Sequence, residues 1–260
     1  MAGCDRSDVI GELRRRGLWN GCGDTRPLDP AERERQQRER EARAAQRARK
    51  QAWMRERALE IFHEARPALG TPAEFYLTWW RGVDCGAERR AWWRQLLTDV
   101  IRFHPACPRG HIRQPAMVAL MRSIADDRPT GIHRTFLKCD GDKDGDRKML
   151  GSSGSAVIKL IGAPPCRSLA IAEGIEKALG AVLRGYVPAG CAVWAPGSAD
   201  ALKLFPVIDG VGELIILADN EPVGLKAAHQ AVDRWRRVGR QTHVVPPPKG
   251  EKDFDEPLKL

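Results

Sequence analysis

SLAIAEG at residues 168–174 and ELIILADNEP at residues 213–222 are apolar runs that end in acidic residues. Further acids follow in KGEKDFDE, and the full acidic set is Glu173, Asp219, Glu221, Asp253 and Asp255. If the runs are parallel strands, these acids meet at one edge of a sheet, where open α/β sheets bind their ligands. Carboxylates hold Mg²⁺ in enzymes that act on phosphates, so the pattern predicts a divalent metal site for phosphoryl or nucleotidyl transfer.

Each acid also has a simpler interpretation. A single Asp after a strand is more often a helix N-cap or a turn residue than a metal ligand. Three acidic positions in this order along the chain are harder to attribute to turns alone, which favours the metal site.

Residues 166–260 alternate strand patterns with helical patterns. The candidate strands are SLAIA, CAVWA, ELIILA and QTHVV, and the candidate helices are EGIEKALGAVLRG, SADALKLF and PVGLKAAHQAVDRWRRVG. This alternation predicts an α/β domain in which helices flank a parallel sheet. Gly174 and Gly224 lie next to the acids, where a residue without a side chain allows the backbone to come close to a ligand.

AIAEGIEKALGA, LIILADNEPVGLKAAHQAVDRW and VVPPPKGEKDFDE resemble the Toprim domain, the metal-binding catalytic module of bacterial-type primases, topoisomerases and some nucleases. That family has a Glu after its first strand, an Asp-x-Asp after a later strand and further acids downstream. The resemblance implies a Rossmann-like sheet whose catalytic residues are Glu173, Asp219 and Glu221. It implies a wider set of metal ligands, namely Glu173, Asp219, Glu221, Asp253 and Asp255. Glu221 replaces the second Asp of the family pattern, which keeps the charge and lengthens the side chain by one methylene.

Two upstream segments, GTPAEFYLTWWRGV (70–83) and PTGIHRTFLKCDGDKDGDRKMLGSSGSAVIKL (129–160), resemble primase-like proteins of phages, plasmids and mobile elements. The resemblance implies that four basic residues bind the template strand or the incoming triphosphate: His133, Arg134, Lys138 and Lys148. Ordinary surface basic residues are the alternative. Glu176, one turn along the helix from Glu173, is a weaker candidate for support of the metal ligands.

The resemblance implies a Mg²⁺- or Mn²⁺-dependent DNA primase-type nucleotidyltransferase that makes short primers on single-stranded DNA in the replication of a mobile element. The implied partners are single-stranded DNA, nucleoside triphosphates and a separate replicative helicase, because the sequence has no G-x-x-x-x-G-K-[ST] loop. A Toprim nuclease that cleaves phosphodiesters and a non-catalytic DNA-binding accessory protein of replication remain alternatives.

MAGCDRSDVIGELRRRGL resembles the end of the zinc ribbon that precedes primase cores, with Cys4 as its last ligand. A structural zinc site needs four ligands, and the other six cysteines contain no C-x-x-C pair, so we expect no structural zinc. A plain exposed thiol is the alternative for Cys4.

Seven scattered cysteines do not resemble a disulfide framework, and we see no membrane span or signal peptide, so we expect a cytoplasmic protein without a membrane partner.

The net charge of +9 is unevenly distributed along the chain. Residues 168–260 hold 11 Lys and Arg against 12 Asp and Glu, whereas residues 1–167 hold 32 against 22. This division suits an enzyme that grips a phosphate backbone with one part and holds metal with another.

We expect three regions: a tail and charged linker helix at 1–66, a primase-like α+β nucleic-acid-binding module at 67–165, and the Toprim catalytic domain at 166–260. Asp29 followed by Pro30, with many good helix formers after them, predicts one long helix to about Arg66. Between Ala31 and Gln51 this helix has almost no apolar residue larger than Ala, so we expect a solvated linker helix rather than a DNA contact.

The middle region changes from helical to strand patterns. Its first part carries four paired tryptophans, Trp79, Trp80, Trp92 and Trp93. Base stacking is one interpretation, but apolar neighbours on the same helices predict that the tryptophans join a core. VIRFHP, MVALMRSI, GIHRTFL and AVIKL then predict strands. CDGDKDGD (139–146) lacks the closing Glu of a calcium loop, so we expect a hairpin tip.

Overall fold

The computed structural model describes residues 11–13, 15–17, 29–83, 90–151, 155–162, 166–251 and 253–254. The chain divides into two units, residues 1–49 and residues 50–260. Among the described residues, no helix is long and apolar enough to cross a membrane. Cys4 and Asp255, both named in the sequence predictions, lie outside the described residues.

The long predicted helix is confirmed as α1 (Pro30–Glu64). Its residues in the first unit are almost all exposed, as the lack of large apolar side chains predicted. In the second unit, its last turns bury Ala58, Ile61 and Phe62. These side chains share a hydrophobic cluster with residues of three strands that follow, which gives the C-terminal end of α1 a place in the core.

Three of the four predicted strands of the middle region, VIRFHP, MVALMRSI and GIHRTFL, form an antiparallel sheet together with two short strands that were not predicted, whereas the fourth, AVIKL, joins the parallel sheet. The strands of the antiparallel sheet are β1 (Arg66–Pro67), β2 (Ile101–Arg109), β3 (Ile112–Ser123), β4 (Pro129–Phe136) and β5 (Lys148–Gly151). Two helices lie between β1 and β2, α2 (Pro72–Phe75) and α3 (Arg90–Gln95), and each continues as a π-helical turn, at Tyr76–Trp80 and Leu96–Val100. The acidic turn joins the antiparallel pair β4 and β5, so the predicted hairpin tip is confirmed.

Side chains of β3 alternate between two hydrophobic clusters, because successive residues of a strand point to opposite faces. Ala116, Val118 and Leu120 pack in the cluster that contains the end of α1. Met117 and Met121 pack in the other cluster, with residues of α2 and α3. The antiparallel sheet is therefore covered on both faces.

The C-terminal region is the predicted α/β domain. It contains β6 (Ala156–Ile161), β7 (Ser168–Ala172), α4 (Ile175–Leu183), β8 (Ala192–Ala195), α5 (Ala199–Lys203), β9 (Glu213–Leu217), α6 (Pro222–Arg236) and β10 (Gln241–Val245). The strand order is β6-β8-β7-β9-β10, with β8, β7, β9 and β10 parallel. All four strands and three helices expected from the sequence of this region are present.

Strand β6 connects the two sheets. It pairs antiparallel with β8 on one side and with the end of β3 on the other, through Arg122 opposite Val157 and Ser123 opposite Ala156. The antiparallel and parallel parts of residues 50–260 are therefore joined by backbone hydrogen bonds.

Helices cover both faces of the parallel sheet. Ala170 of β7 and Ile215 of β9 pack in the cluster that contains α4. Leu169 and Ile216 pack in the opposite cluster, which contains residues of α5 and α6. This three-layer arrangement leaves the carboxyl ends of the parallel strands as the edge at which α4, α5 and α6 begin.

The prediction that the tryptophans join a core is only partly correct. Trp93 is 3% exposed and its Nε1 donates to Glu74 at 2.9 Å, as expected for a core tryptophan. Trp79 is 68% exposed and stacks on Phe75, with ring centroids 5.9 Å apart. Trp79 lies on the solvent-exposed side of its helix. Apolar neighbours on the same helix were therefore not sufficient to predict burial for both tryptophan pairs.

Candidate metal and phosphate site

Glu173 and Asp219 lie beyond the carboxyl ends of two neighbouring parallel strands. Strands β7 and β9 pair in register, and their last residue pair is Ala172 with Leu217. Glu173 is the first residue after this pair on β7, and Asp219 is the second residue after it on β9. Both acids line one narrow cleft, whose remaining walls come from the first turns of α5 and α6 and from the end of β9. The structure thus brings together two acids that are 46 positions apart in the numbering.

The two carboxylate oxygens of Asp219 have different surroundings. The side chain is almost completely buried, and its Oδ2 accepts a hydrogen bond from Lys177 Nζ. Its Oδ1 is buried without a hydrogen-bond partner in the described part of the chain. A buried polar atom without a partner is unfavourable, so Oδ1 is available for a ligand that enters the cleft.

Gly224 allows the first turn of α6 to approach Asp219 closely. A Cβ atom at Gly224 would lie 3.1 Å from the Cβ of Asp219, which is closer than ordinary van der Waals contact. Gly224 was predicted to allow the backbone to approach a ligand, and the packing shows a close approach to the Asp219 side chain. The same approach brings the N-terminal end of α6, which favours negative charge, next to this carboxylate.

These residues fit a divalent cation that is shared with a substrate. Mg²⁺ is usually bound by one or two carboxylates together with water and substrate phosphates rather than by an all-protein cage. Asp219 Oδ1 and the Glu173 carboxylate supply such a pair. Within the residues that the structure describes, no group of three or more His, Cys, Asp or Glu is close enough to hold a metal ion. The four described members of the predicted set, Glu173, Asp219, Glu221 and Asp253, are thus not assembled into one cluster.

Two of the other predicted acids, Glu221 and Asp253, belong to segments next to the loop that carries Asp219. Glu221 is exposed at the N-cap of α6, where its side chain makes no capping hydrogen bond. Asp253 is half-buried in the segment after β10. Asn220 Nδ2 donates to the carbonyl of Glu251 at 2.8 Å, and Phe254 is fully buried. These contacts hold the segment that carries Asp253 against the loop that carries Asp219.

The four predicted nucleic-acid-binding residues have unequal exposure. Lys148 is exposed on β5, directly opposite Arg134 of β4. Arg134 donates to the carbonyl of Pro108 at 2.8 Å. Lys138 is half-exposed and pairs with Asp142 at 3.2 Å. His133 is only 3% exposed, and this burial lowers its pKa to about 4, so in this structure its ring faces the protein interior rather than a template.

A buried ionic network connects the antiparallel sheet to α4. Glu176 is 1% exposed, pairs with Arg147 at 2.9 Å and accepts a hydrogen bond from Tyr76 Oη at 2.9 Å. Burial alone would raise the pKa of Glu176, but the nearby Arg147 guanidinium outweighs it and lowers the pKa to about 2. Glu176 was predicted to support the metal ligands, and the structure instead places it in contact with Arg147 and Tyr76.

Lys177 and Asn220 were not predicted as site residues. Lys177 lies four positions after Glu173, in the first turn of α4, and its contact with Asp219 spans 42 residues. The one available signal was a basic residue in a helical first turn, where acidic residues are preferred. Nothing in the local sequence distinguishes Asn220 from an ordinary turn residue.

Two family models match the chain. Residues 52–160 match a domain of unknown function (DUF7146), and residues 168–259 match the Toprim domain. Residues 168–259 are therefore a Toprim domain, which confirms for this region the resemblance stated from the sequence. The fold of the chain is the expected α/β fold, with a central sheet flanked by helices. No curated protein matches the chain.

Several solved structures are similar to this one. The primase fragment of the bacteriophage T7 primase-helicase protein is 18% identical, with a TM-score of 0.44 and coverage of 60% of each chain. The primase of Aquifex aeolicus (zinc-binding and RNA polymerase domains) is 16% identical, with a TM-score of 0.48 and coverage of 73% of this chain and 53% of that one. A DNA primase domain from Pseudomonas aeruginosa is 15% identical, with a TM-score of 0.39 and coverage of 56% and 46%.

Proposed function

We propose that this protein is a metal-dependent, DNA primase-type nucleotidyltransferase that makes short primers on single-stranded DNA in the replication of a mobile element. The observation that carries this proposal is the buried, unpartnered Oδ1 of Asp219 in a cleft that Glu173 also lines. Primer synthesis, rather than another Toprim reaction, is supported by the resemblance of residues 70–83 and 129–160 to primase-like proteins.

In the proposed reaction, Asp219 and Glu173 would hold Mg²⁺ or Mn²⁺ together with the triphosphate of the incoming nucleotide. The bound ion supplies charge neutralisation at the phosphate and a lower pKa for the attacking hydroxyl. Glu173 has a second possible role as the general base, since it lies in the same cleft as Asp219. Glu221, Asp253 and Asp255, the other predicted ligands, would act through water molecules rather than bind the ion directly.

The hairpin of β4 and β5 is the proposed contact for the template or the triphosphate. Lys148, Lys138 and Arg134 would offer positive charge to phosphates, which suits an interaction that depends strongly on salt. His133, the neighbour of Arg134 on β4, is buried and would act from inside the protein by stabilising that strand. Single-stranded DNA and nucleoside triphosphates are then the substrates, with a separate helicase as partner, and the cytoplasm is the expected location.

The test is a single incubation of purified protein with single-stranded DNA, labelled nucleoside triphosphates and Mg²⁺ or Mn²⁺. We expect new oligomers from the wild type and a loss of about hundredfold or more in Asp219→Asn, because the isosteric amide removes the ligand charge. Asp209→Asn, an exposed turn residue, is the matched control and should behave like the wild type.

Other products would contradict primer synthesis in defined ways. Shortened DNA that depends on Asp219 would assign the site to a nuclease. Binding of DNA without either product, in both metals, would assign the chain to the accessory proteins of replication. If Asp219→Asn forms oligomers as well as the wild type, the cleft that contains Asp219 is not the catalytic site.

A further inference from the structure

Lys177 introduces a cation into the candidate metal site. Its Nζ hydrogen-bonds and pairs with Oδ2 of Asp219, and the two side chains are only 20% and 10% exposed. A lysine is unfavourable in the first turn of a helix, because the N-terminal end of the helix dipole is positive. Helix stability therefore does not account for Lys177, whereas its contact with the buried Asp219 carboxylate does.

The charged groups that line the cleft or contact its lining favour one divalent ion and not two. The formal charges of Glu173, Asp219 and Lys177 sum to one excess negative charge. One divalent cation changes this sum to one excess positive charge, which is suited to a phosphate anion. A second divalent cation would raise this sum to three excess positive charges. Among the described residues, no cluster of three or more possible metal ligands is present to offset them.

We propose that this is a one-metal site in which Lys177 takes the part of a second cation. The divalent ion would bind Oδ1 of Asp219 and the Glu173 carboxylate. The Lys177 ammonium would remain on Oδ2 and contact an oxygen of the substrate phosphate. This inference rests on the proposed function, and it adds the number of metal ions and a phosphate-binding residue on α4.

A purely structural role for Lys177 makes the opposite prediction about metal affinity. If Lys177 only fixes the orientation of Asp219, its removal should weaken metal binding. If it acts as a second cation, its removal takes away a like charge beside the metal and should strengthen binding. At a separation of about 5 Å, even water-like screening makes this repulsion worth roughly tenfold in affinity.

The experiment titrates Mn²⁺ into the wild type and variants, with free Mn²⁺ measured by electron paramagnetic resonance. We expect one ion per wild-type chain, about tenfold tighter binding in Lys177→Met and near-wild-type binding in Lys177→Arg. Lys203→Met removes an equal charge from the exposed end of α5 and is the matched control. At saturating Mn²⁺, Lys177→Met should bind inorganic triphosphate about tenfold more weakly than the wild type.

Weaker Mn²⁺ binding in Lys177→Met would overturn the inference in favour of a structural role. Two ions per wild-type chain, or unchanged triphosphate affinity, would also overturn it. If Lys177→Met does not fold by circular dichroism, Lys177→Gln keeps an N–H donor without the charge and decides the same question.

The outcome is separable from that of the proposed function. If Asp219→Asn loses Mn²⁺ but Lys177→Met also weakens it, the metal site stands and the role of Lys177 does not. If the Lys177 variants behave as expected but no primer forms, the phosphate site stands and primer synthesis does not. If neither the wild type nor Lys177→Met binds Mn²⁺, both proposals fail.

Discussion

Trp79 and Trp93 show how the same residue type in similar sequence contexts can have different energetic roles. Trp93 is buried and donates its indole N–H to Glu74, so both its apolar surface and its polar atom are satisfied. Trp79 remains 68% exposed, and its described ring contact is the stacked ring of Phe75. Burial, rather than residue type, therefore decides which tryptophan stabilises the fold.

We expect Trp93→Ala to lower the free energy of unfolding by about 3–5 kcal/mol, because it leaves a large cavity in the core. Trp79→Ala should lower it by less than about 1.5 kcal/mol, which is the value of a stacked aromatic pair. Urea unfolding followed by circular dichroism measures both changes. Equal losses in the two variants would show that the helix of Trp79 is packed more tightly than its exposure indicates.

The β4–β5 hairpin is the element that presents basic residues next to the parallel sheet. Its strands meet closely at Gly131 and Gly151, where a Cβ atom on either residue would lie 2.4 Å from a carbonyl oxygen of the opposite strand. Gly151 also has a positive φ of 100°, which disfavours residues with side chains. These two glycines fix the register that places Lys148 opposite Arg134.

We expect the affinity for single-stranded DNA to fall steeply with salt, and Lys148→Ala to reduce the log–log slope by about 0.7, the effect of one phosphate contact on a single strand. Arg134→Ala should also reduce the slope, and it should destabilise the hairpin because Arg134 bonds the Pro108 carbonyl. Fluorescence anisotropy at several salt concentrations is the measurement. Lys203→Ala is the exposed control, and a slope unchanged in Lys148→Ala would assign Lys148 to ordinary surface.

At the scale of the whole molecule, the ionic network around Glu176 ties the basic middle region to the Toprim domain. Arg147 precedes β5, Tyr76 follows α2, and Glu176 belongs to α4, so a single carboxylate accepts contacts from two distant segments. Removing Arg147 would leave the Glu176 carboxylate buried without its charge partner, which is unfavourable, whereas removing Glu176 would leave a guanidinium that solvent reaches. His133 lies in the same electrostatic environment and is held neutral by burial.

The network makes stability depend on pH. The pKa of His133 falls from its ordinary 6.5 to about 4 on folding, so the unfolded chain binds more protons between these values. Stability should therefore decrease as the pH falls through this window, by up to about 1.4 kcal/mol per pH unit. The lowered pKa of Glu176 should add a further loss between pH 4.5 and about 2, where the unfolded carboxyl is protonated first.

Urea unfolding at pH 7, 6 and 5 tests this dependence. We expect His133→Leu to reduce the slope of unfolding free energy against pH, while His229→Leu, which removes an exposed histidine of α6, leaves the slope unchanged. A wild-type slope in His133→Leu would show that other groups cause the pH dependence.

Local patterns in the sequence predicted most elements of this protein and the edge at which Glu173 and Asp219 lie. The long helix, the antiparallel strands, the alternating strands and helices, and the positions of Glu173 and Asp219 after β7 and β9 follow from periodicity and from the residues that end each run. These signals depend on neighbours a few residues apart, which a sequence displays directly.

Tertiary packing decided which of these residues meet. Two contacts join segments that lie far apart in the chain, namely Lys177 with Asp219 and Arg147 with Glu176. The burial of His133 and the exposure of Trp79 depend on which face of an element is covered by the rest of the fold. Periodicity determines that a face exists but not what covers it, because that depends on the order of strands in the sheet. The unpartnered oxygen of Asp219, which carries the proposed function, is for this reason visible only in the folded chain.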